Sequence, residues 1–346
     1  MLRYFAWPFL FTAIGLVLCF WLGWFYSGTL GGALAFLLTG AILAVLEISL
    51  SFDNAVVNAH KLKTMRPEWQ RRFLTWGILI AVFGMRIVFP LLIVVIAAKI
   101  GPVSAVVLAA SDPDAYAAII SDAHLPIAAF GGSFLMMVAL TYFVDDGKEV
   151  DWIRALECKL RACASIRGLE IAFVLAIAVG FTLVLPGPKG AQFLFAAVCG
   201  LLTFLVVEFA SHFLDNESKS TTGAATGGFG AFMYLEVLDA SFSFDGVIGA
   251  FALTQNLFLI AIGLGIGAFY VRAMTIMLVE KQTLAELRYL EHGAFYAILS
   301  LSIIMYVQVL VHIPEVITGL IGAAFIGLSL WSSLRHNKLE RLQGAV

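Results

Sequence analysis

The feature that most constrains this chain is a series of uninterrupted apolar runs, each close to twenty residues long, such as residues 30–46. The runs do not alternate between polar and apolar residues. They match the length a helix needs to cross the roughly 30 Å hydrocarbon layer of a bilayer. A water-soluble fold would need a larger polar shell, because 61% of the residues are hydrophobic and only 13% are charged, against about 25% charged in ordinary soluble domains. Mean hydropathy is +0.97. Inside hydrocarbon every backbone N–H and C=O needs an internal partner, which leaves helices or closed barrels. Continuous runs select helices, so the fold class is an all-α polytopic membrane protein.

Ten spans are expected, at 5–26, 31–59, 73–98, 124–144, 169–185, 191–213, 228–253, 256–279, 293–312 and 315–334. Residues 100–122 contain Gly101-Pro102, Asp112-Pro113 and Asp114, and read as an external loop with an interfacial helix. No small-residue cleavage site stands out near Phe25-Tyr26, so the first run reads as a retained helix. Residues 1–168 then hold the first membrane repeat and a cytosolic loop. Residues 169–346 hold the fifth helix, the second repeat and a short tail, all within one integral membrane unit.

Lys and Arg gather in loops that face the cytoplasm. With the N-terminus inside, 17 of the 21 Lys and Arg residues fall on inner segments, and only Lys99 and Lys189 fall outside. The remaining two, Arg86 and Arg272, lie within spans. This asymmetry predicts a ten-helix inner-membrane protein with both termini cytoplasmic. The net charge of −2, without a basic stripe, points away from nucleic acid. Cys19, Cys158, Cys163 and Cys199 imply no disulfide framework. The Cys158/Cys163 pair lacks the second ligand pair a zinc site needs. The oligomeric state is not legible.

An internal repeat is. Residues 47–53 read Glu-Ile-Ser-Leu-Ser-Phe-Asp and residues 239–245 read Asp-Ala-Ser-Phe-Ser-Phe-Asp. Asn54 follows the first motif and Gly246 the second. Gly77 precedes Arg86 by nine positions, as Gly263 precedes Arg272. The motifs fall in helices two and seven, an odd offset, so the two halves enter the membrane in opposite directions. That is the inverted five-plus-five repeat of many transporters, whose sites lie at the midplane between halves.

Ionisable groups at bilayer depth are costly and default to function. Glu47, Asp53, Glu236, Asp239 and Asp245 outnumber Arg86 and Arg272, and the excess asks for a cation, a proton or water. Positions six apart on a helix are rotated about 600°, or 120° off one face, and separated by about 9 Å. Glu47 and Asp53 therefore cannot chelate one ion from a regular helix. Either the helix unwinds at the Ser-Phe-Asp motif, or the acids form a ladder from Asp53 through Glu47 and Asp239 to Asp245, and the depth of each acid in its span favours the ladder with a central site. Glu236, Asp239 and Ser243 share a face. Ser49, Ser51, Ser241 and Ser243 can each bond back to a helix carbonyl instead. Carboxylate, amide and hydroxyl oxygens suit hard divalent ions. The candidate ligands are Glu47, Ser51, Asp53, Asn54, Glu236, Asp239, Ser243 and Asp245, with Arg86 and Arg272 balancing charge. The histidines at 60, 124, 212, 292 and 312 sit at helix ends and read as solvated.

The run Leu46-Glu47-Ile48-Ser49-Leu50-Ser51-Phe52-Asp53-Asn54-Ala55 resembles the first acidic motif of the TerC family of bacterial membrane proteins. Glu236-Val237-Leu238-Asp239 with Phe242-Ser243-Phe244-Asp245 resembles its second, and Arg86 and Arg272 its membrane arginines. Tyr289-Leu290, Gly293 and His312-Ile313-Pro314 resemble its late helices. Gly246 and Gly249 replace that family's usual Ser and Pro, and loop 145–167 departs from its pattern, so the chain resembles a divergent branch, one filed as a domain of unknown function. The resemblance implies a part in manganese export, metal homeostasis or tellurite resistance.

The function expected from these residues is a secondary transporter that exports a divalent metal, Mn²⁺ first, with no permanently bound cofactor and no enzymatic activity. A membrane scaffold or metal-delivery partner is the alternative. An intramembrane aspartyl protease is more remote, because its Gly-x-Gly-Asp signature is missing.

Overall fold

The computed structural model describes residues 2–343 apart from 78, 146, 147, 149, 163–167, 219–227, 282–285 and 312. Of residues 2, 162, 211–218, 244, 245, 248, 252, 315, 316 and 340–343 only the backbone is described. The described chain is helical throughout and contains no β-strand. Its first helices are α1 (Leu2–Ser27), α2 (Leu30–Leu50), α3 (Phe52–Lys63) and α4 (Pro67–Arg72). Two π-helical segments follow, Phe73–Gly77 and Ile80–Val88, which lead into α5 (Phe89–Ala98). Then come α6 (Pro102–Ser111), α7 (Pro113–Asp122), α8 (His124–Val144), α9 (Arg154–Ala162) and α10 (Leu169–Val184). The last are α11 (Pro188–Ser218), α12 (Phe229–Leu253), α13 (Leu257–Glu280), α14 (Leu290–Gln308) and α15 (Glu315–Gln343).

Among the described residues, eight helices are long and apolar enough to cross a membrane, or nine if the bent pair α6–α7 counts as one. Two more of the expected ten are present as apolar helices outside that set. One is α10, of 16 residues, and the other is α12, of 25 residues, which carries Glu236, Asp239 and Asp245. The chain is thus a multi-pass membrane protein. α8, α13 and α14 are mostly buried, whereas α1 and α15 present mainly exposed apolar faces suited to lipid.

Three local features depart from the sequence reading. The expected helix 31–59 is broken at Ser51, whose backbone (φ −104°, ψ 17°) leaves the helical region between α2 and α3. The Ser51 N–H still reaches the Glu47 carbonyl at 3.1 Å, and its own carbonyl accepts from Ala55 at 3.2 Å, so the break costs little backbone hydrogen bonding. Residues 100–122 form two short helices bent by 119° rather than a loop with one interfacial helix. Each starts with proline, where the missing N–H is harmless. The loop 145–168 contains the helix α9.

Close contacts fix the relative directions of the helices. Leu43 and Glu47 of α2 lie against Gly263 and Gly267 of α13, so these two helices run parallel. Along α2–α3 and α12, Glu47 approaches Gly246 and Asn58 bonds Asp239, so α12 runs antiparallel to α2–α3. Trp69, Phe73 and Gly77 meet Phe229, Phe232 and Glu236 in turn, which makes that segment parallel to α12. Gly131 against Met305 and Tyr142 against Phe295 make α8 and α14 antiparallel. The two motif-bearing helices therefore oppose each other. Each also packs parallel to the arginine-bearing helix of the other half.

Candidate functional site

Where α2, α3, α12, α13 and the π segments converge, they line a cavity of about 50 Å³, room for a small cation with a few waters. Glu47, Ser51, Asn54, Asn58, Arg86, Asp239, Ser243 and Arg272 supply its polar lining. Three pairs in that set occupy matching positions of the repeat: Glu47 with Asp239, Ser51 with Ser243, and Arg86 with Arg272. The preceding serine of each motif does something else. Ser49 bonds back to the Val45 carbonyl at 2.8 Å and Ser241 to the Val237 carbonyl at 2.9 Å. In both halves the first serine closes on its own helix and the second faces the cavity.

Glycines bring the walls together. At Gly267 any Cβ would overlap the Cβ and Cγ of Glu47, and at Gly263 it would sit 2.6 Å from the Leu43 Cβ. This Gly-x-x-x-Gly stretch lets α2 lean on α13, as small residues do at many membrane helix contacts. At Gly77 a Cβ would sit 2.9 Å from Glu236 Oε1. The two repeat-related glycines, Gly77 and Gly263, thus each receive the motif helix of the opposite half. The arginine nine residues beyond each of them reaches the cavity wall.

Arg86 sits in the second π segment, a distortion often found at functional sites. It is 4% exposed, as is Glu47, and its guanidinium makes an ion pair with the Glu47 carboxylate and donates to the Ala81 carbonyl. Ser51 Oγ donates to Glu47 Oε1 at 3.3 Å. Asn58 Nδ2 donates to Asp239 Oδ1 at 2.8 Å. Arg272 lines the same cavity without an ion pair among the described residues, and its Nε is buried with no hydrogen-bond partner. Asn54 Oδ1, Asn58 Oδ1, Arg86 Nε and Ser243 Oγ are likewise buried without partners. Each such group costs about 1–3 kcal/mol unless something meets it, so this concentration of unmet atoms points to water or a ligand in the cavity.

The other candidate acids lie elsewhere. Asp53 faces a second cavity, between α3 and α15, which Glu47 and Ser51 also border. Glu236 is buried against Gly77, does not line the central cavity, and leaves Oε1 unpartnered. The Asp245 side chain lies outside the described residues. Among the described residues no three His, Cys, Asp or Glu side chains converge as a metal-binding group. The central cavity therefore combines two carboxylates with amide, hydroxyl and guanidinium groups. It is not a ring of acids.

Compared with known families, residues 52–340 match the one described as a protein of unknown function, DUF475. The chain belongs to this family. No curated protein and no solved structure matches it. The DUF475 match begins at Phe52, so it takes in Asp53, Asn54, both arginines and the whole second motif. It leaves Glu47 and Ser51 on the N-terminal side.

Two groups of residues escaped the sequence reading. Asn58 follows Asn54 by four positions and continues the face of Glu47 and Ser51, a spacing that was available as a signal. Glu157 gave no such signal. It is fully buried, pairs with Lys148, and accepts from Tyr296 Oη at 3.1 Å and from the Ile153 N–H at 3.0 Å. His292 Nε2 lies 3.5 Å from the same carboxylate and 2.7 Å from the Val150 carbonyl, so this histidine is buried and engaged rather than solvated. The cluster fastens the α9 loop to α8 and α14. Burial pushes the neighbouring Asp151 carboxyl up, but hydrogen bonds from Cys158 and Arg161 outweigh this and hold it below the usual carboxylate range. Cys163, the other half of the cysteine pair, lies outside the described residues.

Proposed function

We propose that this protein is a secondary transporter that exports a divalent metal cation, Mn²⁺ first among candidates, through the cavity between its two halves. The observation that carries the reading is the set of repeat-related polar residues, Glu47 with Asp239, Ser51 with Ser243 and Arg86 with Arg272, on the wall of one buried cavity. A purely structural ion pair would need Glu47 and Arg86 alone. It would not need a second arginine or the unmet amide and hydroxyl atoms around it.

In this reading the arginines balance the carboxylates while the cavity is empty. An entering cation displaces Arg86 from Glu47 and is met by carboxylate, amide and hydroxyl oxygens, the donors that hard divalent ions prefer. Antiparallel motif helices would offer related surfaces to the two sides of the membrane, as alternating access requires. The Lys and Arg distribution favours both termini in the cytoplasm, and the bacterial inner membrane comes from the resemblance to the TerC family. Manganese comes from the resemblance to the TerC family.

Purified protein in liposomes loaded with a metal-quenched dye tests the reading. Mn²⁺ should enter faster than in empty vesicles, and Asp239→Asn, whose cost in stability is small, should remove that flux while reconstituting equally. Wild-type flux no greater than in empty vesicles would overturn transport in favour of a membrane scaffold.

A further inference from the structure

The second cavity, of about 40 Å³, is bordered by Glu47, Ser51, Asp53, Gly246 and the first turns of α15, Thr318 to Gly322. Its charge balance differs from that of the central cavity. There, Glu47 and Asp239 face Arg86 and Arg272, two negative charges against two positive. Here Asp53, 7% exposed, accepts a 2.9 Å bond from the Asn54 N–H and one from its own N–H, both on its own helix. No Lys, Arg or His pairs with it among the described residues. A buried carboxylate without a counter-charge is costly, and a cation beside it removes that cost.

An independent observation lies across the cavity. Thr318 is 8% exposed and its Oγ1 has no hydrogen-bond partner among the described residues. Six other helical threonines behave differently. Thr12, Thr39, Thr75, Thr182, Thr203 and Thr275 each donate to the carbonyl four residues back. For Thr318 that carbonyl belongs to Pro314, just ahead of the helix, and the Thr318 hydroxyl does not bond to it. The hydroxyl is left over in a cavity shared with an uncompensated carboxylate.

The approach of α15 is built for this juxtaposition. At Gly319 any Cβ would overlap the Leu50 side chain, and at Gly322 it would come to 3.9 Å from Asp53 Oδ2. Gly246 plays the same part from α12, where a Cβ would stand 3.0 Å from Glu47 Oε2. Glu47 and Ser51 border both cavities and form the partition between them.

We propose that Asp53, Ser51 and Thr318 form a second cation site, next to the central one and divided from it by Glu47, in which the Thr318 hydroxyl is an oxygen ligand. The proposal deepens the transport reading and rests on it. A divalent ion passing between the cavities exchanges the oxygens of Asn54 and Asp239 for those of Asp53 and Thr318, with Glu47 in contact on both sides.

The spectrum of free Mn²⁺ in electron paramagnetic resonance disappears on binding and so counts bound ions on the full-length protein in detergent. The wild type should bind two. Thr318→Val, nearly isosteric, should bind one, and Thr318→Ser should restore two. Asp53→Asn should also bind one. Asp239→Asn should lose the other ion and keep the one that depends on Thr318. Thr318→Val removes an unsatisfied buried hydroxyl, so its melting temperature should equal or exceed wild type, and a lost ion cannot then be assigned to unfolding. Two ions bound by Thr318→Val at wild-type affinity would overturn the role of Thr318. One ion in wild type, lost in Asp239→Asn but untouched by Asp53→Asn, would overturn the second site and leave the transport reading standing. No ion bound by wild type would overturn both.

Discussion

At the scale of single residues, Glu47 carries the most. It is buried, paired with Arg86, bonded by Ser51 and set against Gly267. Removing one partner of a buried ion pair is costlier than removing both, because the survivor keeps its charge without compensation. Glu47→Gln should therefore destabilise the protein by about 3–5 kcal/mol, the usual range for breaking such a pair. Glu47→Gln with Arg86→Met should recover a good part of that loss. Thermal unfolding of the three variants in detergent measures the coupling, and additive losses would show that the pair does not act as a unit. Asp239→Asn keeps an oxygen for the Asn58 amide and should cost about 1 kcal/mol. Much of this was legible in the sequence, since two arginines and a surplus of acids in apolar runs must find one another. The choice between Ser49 and Ser51 was not. Both have a carbonyl four residues back, and only the structure shows that Ser49 takes it while Ser51 lines the cavity. Asn58 was legible in principle through its spacing. Glu157 was not, because its partners His292 and Tyr296 come from a helix more than a hundred residues away.

At the scale of elements, the spans follow from the apolar runs, but the break in the motif helix does not. Glu47 and Asp53 point 120° apart on a regular helix, and the chain assigns them to adjoining cavities with a break at Ser51 between them. The second π segment had one sequence signal, Pro90, which cannot donate to the Arg86 carbonyl four residues back; the first had none. The contact of α2 with α13 was likewise only partly legible. Two glycines four apart were visible, yet only the fold shows that Leu43 and Glu47 fill them. Gly267→Ala should push α2 away and displace Glu47, at about 1–3 kcal/mol, the typical penalty of overpacking. Mn²⁺ flux should fall with it. Gly265→Ala is the control, because its Cβ would meet Val82 Cγ1 at an ordinary 3.6 Å. It should leave both stability and flux near wild type. Equal melting temperatures and fluxes for the two variants would refute the close fit of Glu47 into α13.

At the scale of the whole molecule, the helix directions set how many times the chain crosses. α2 and α13 run parallel, so an even number of reversals separates them. The spans at 67–98, α8, α10, α11 and α12 satisfy this if the α6–α7 pair returns to the side it left. The 119° bend between those two helices fits such a return. One full crossing by residues 102–122 would reverse every later helix and set α2 against α13 antiparallel. The consequence is testable in a chain whose Cys19, Cys163 and Cys199 are replaced, leaving the exposed Cys158 as one reporter. Single cysteines at the exposed positions Lys99, Ser111, Lys189 and Lys281 supply the others in a background that also lacks Cys158. A membrane-impermeant maleimide added to intact cells should label positions 99, 111 and 189 and spare 158 and 281 until the membrane is opened. Labelling of 99 from outside but of 111 only after permeabilisation would place the α6–α7 bend at the opposite face. Labelling of 158 in intact cells would show that residues 102–122 cross, and the antiparallel relation of the two acidic motifs, on which a shared path from both sides depends, would have to be abandoned.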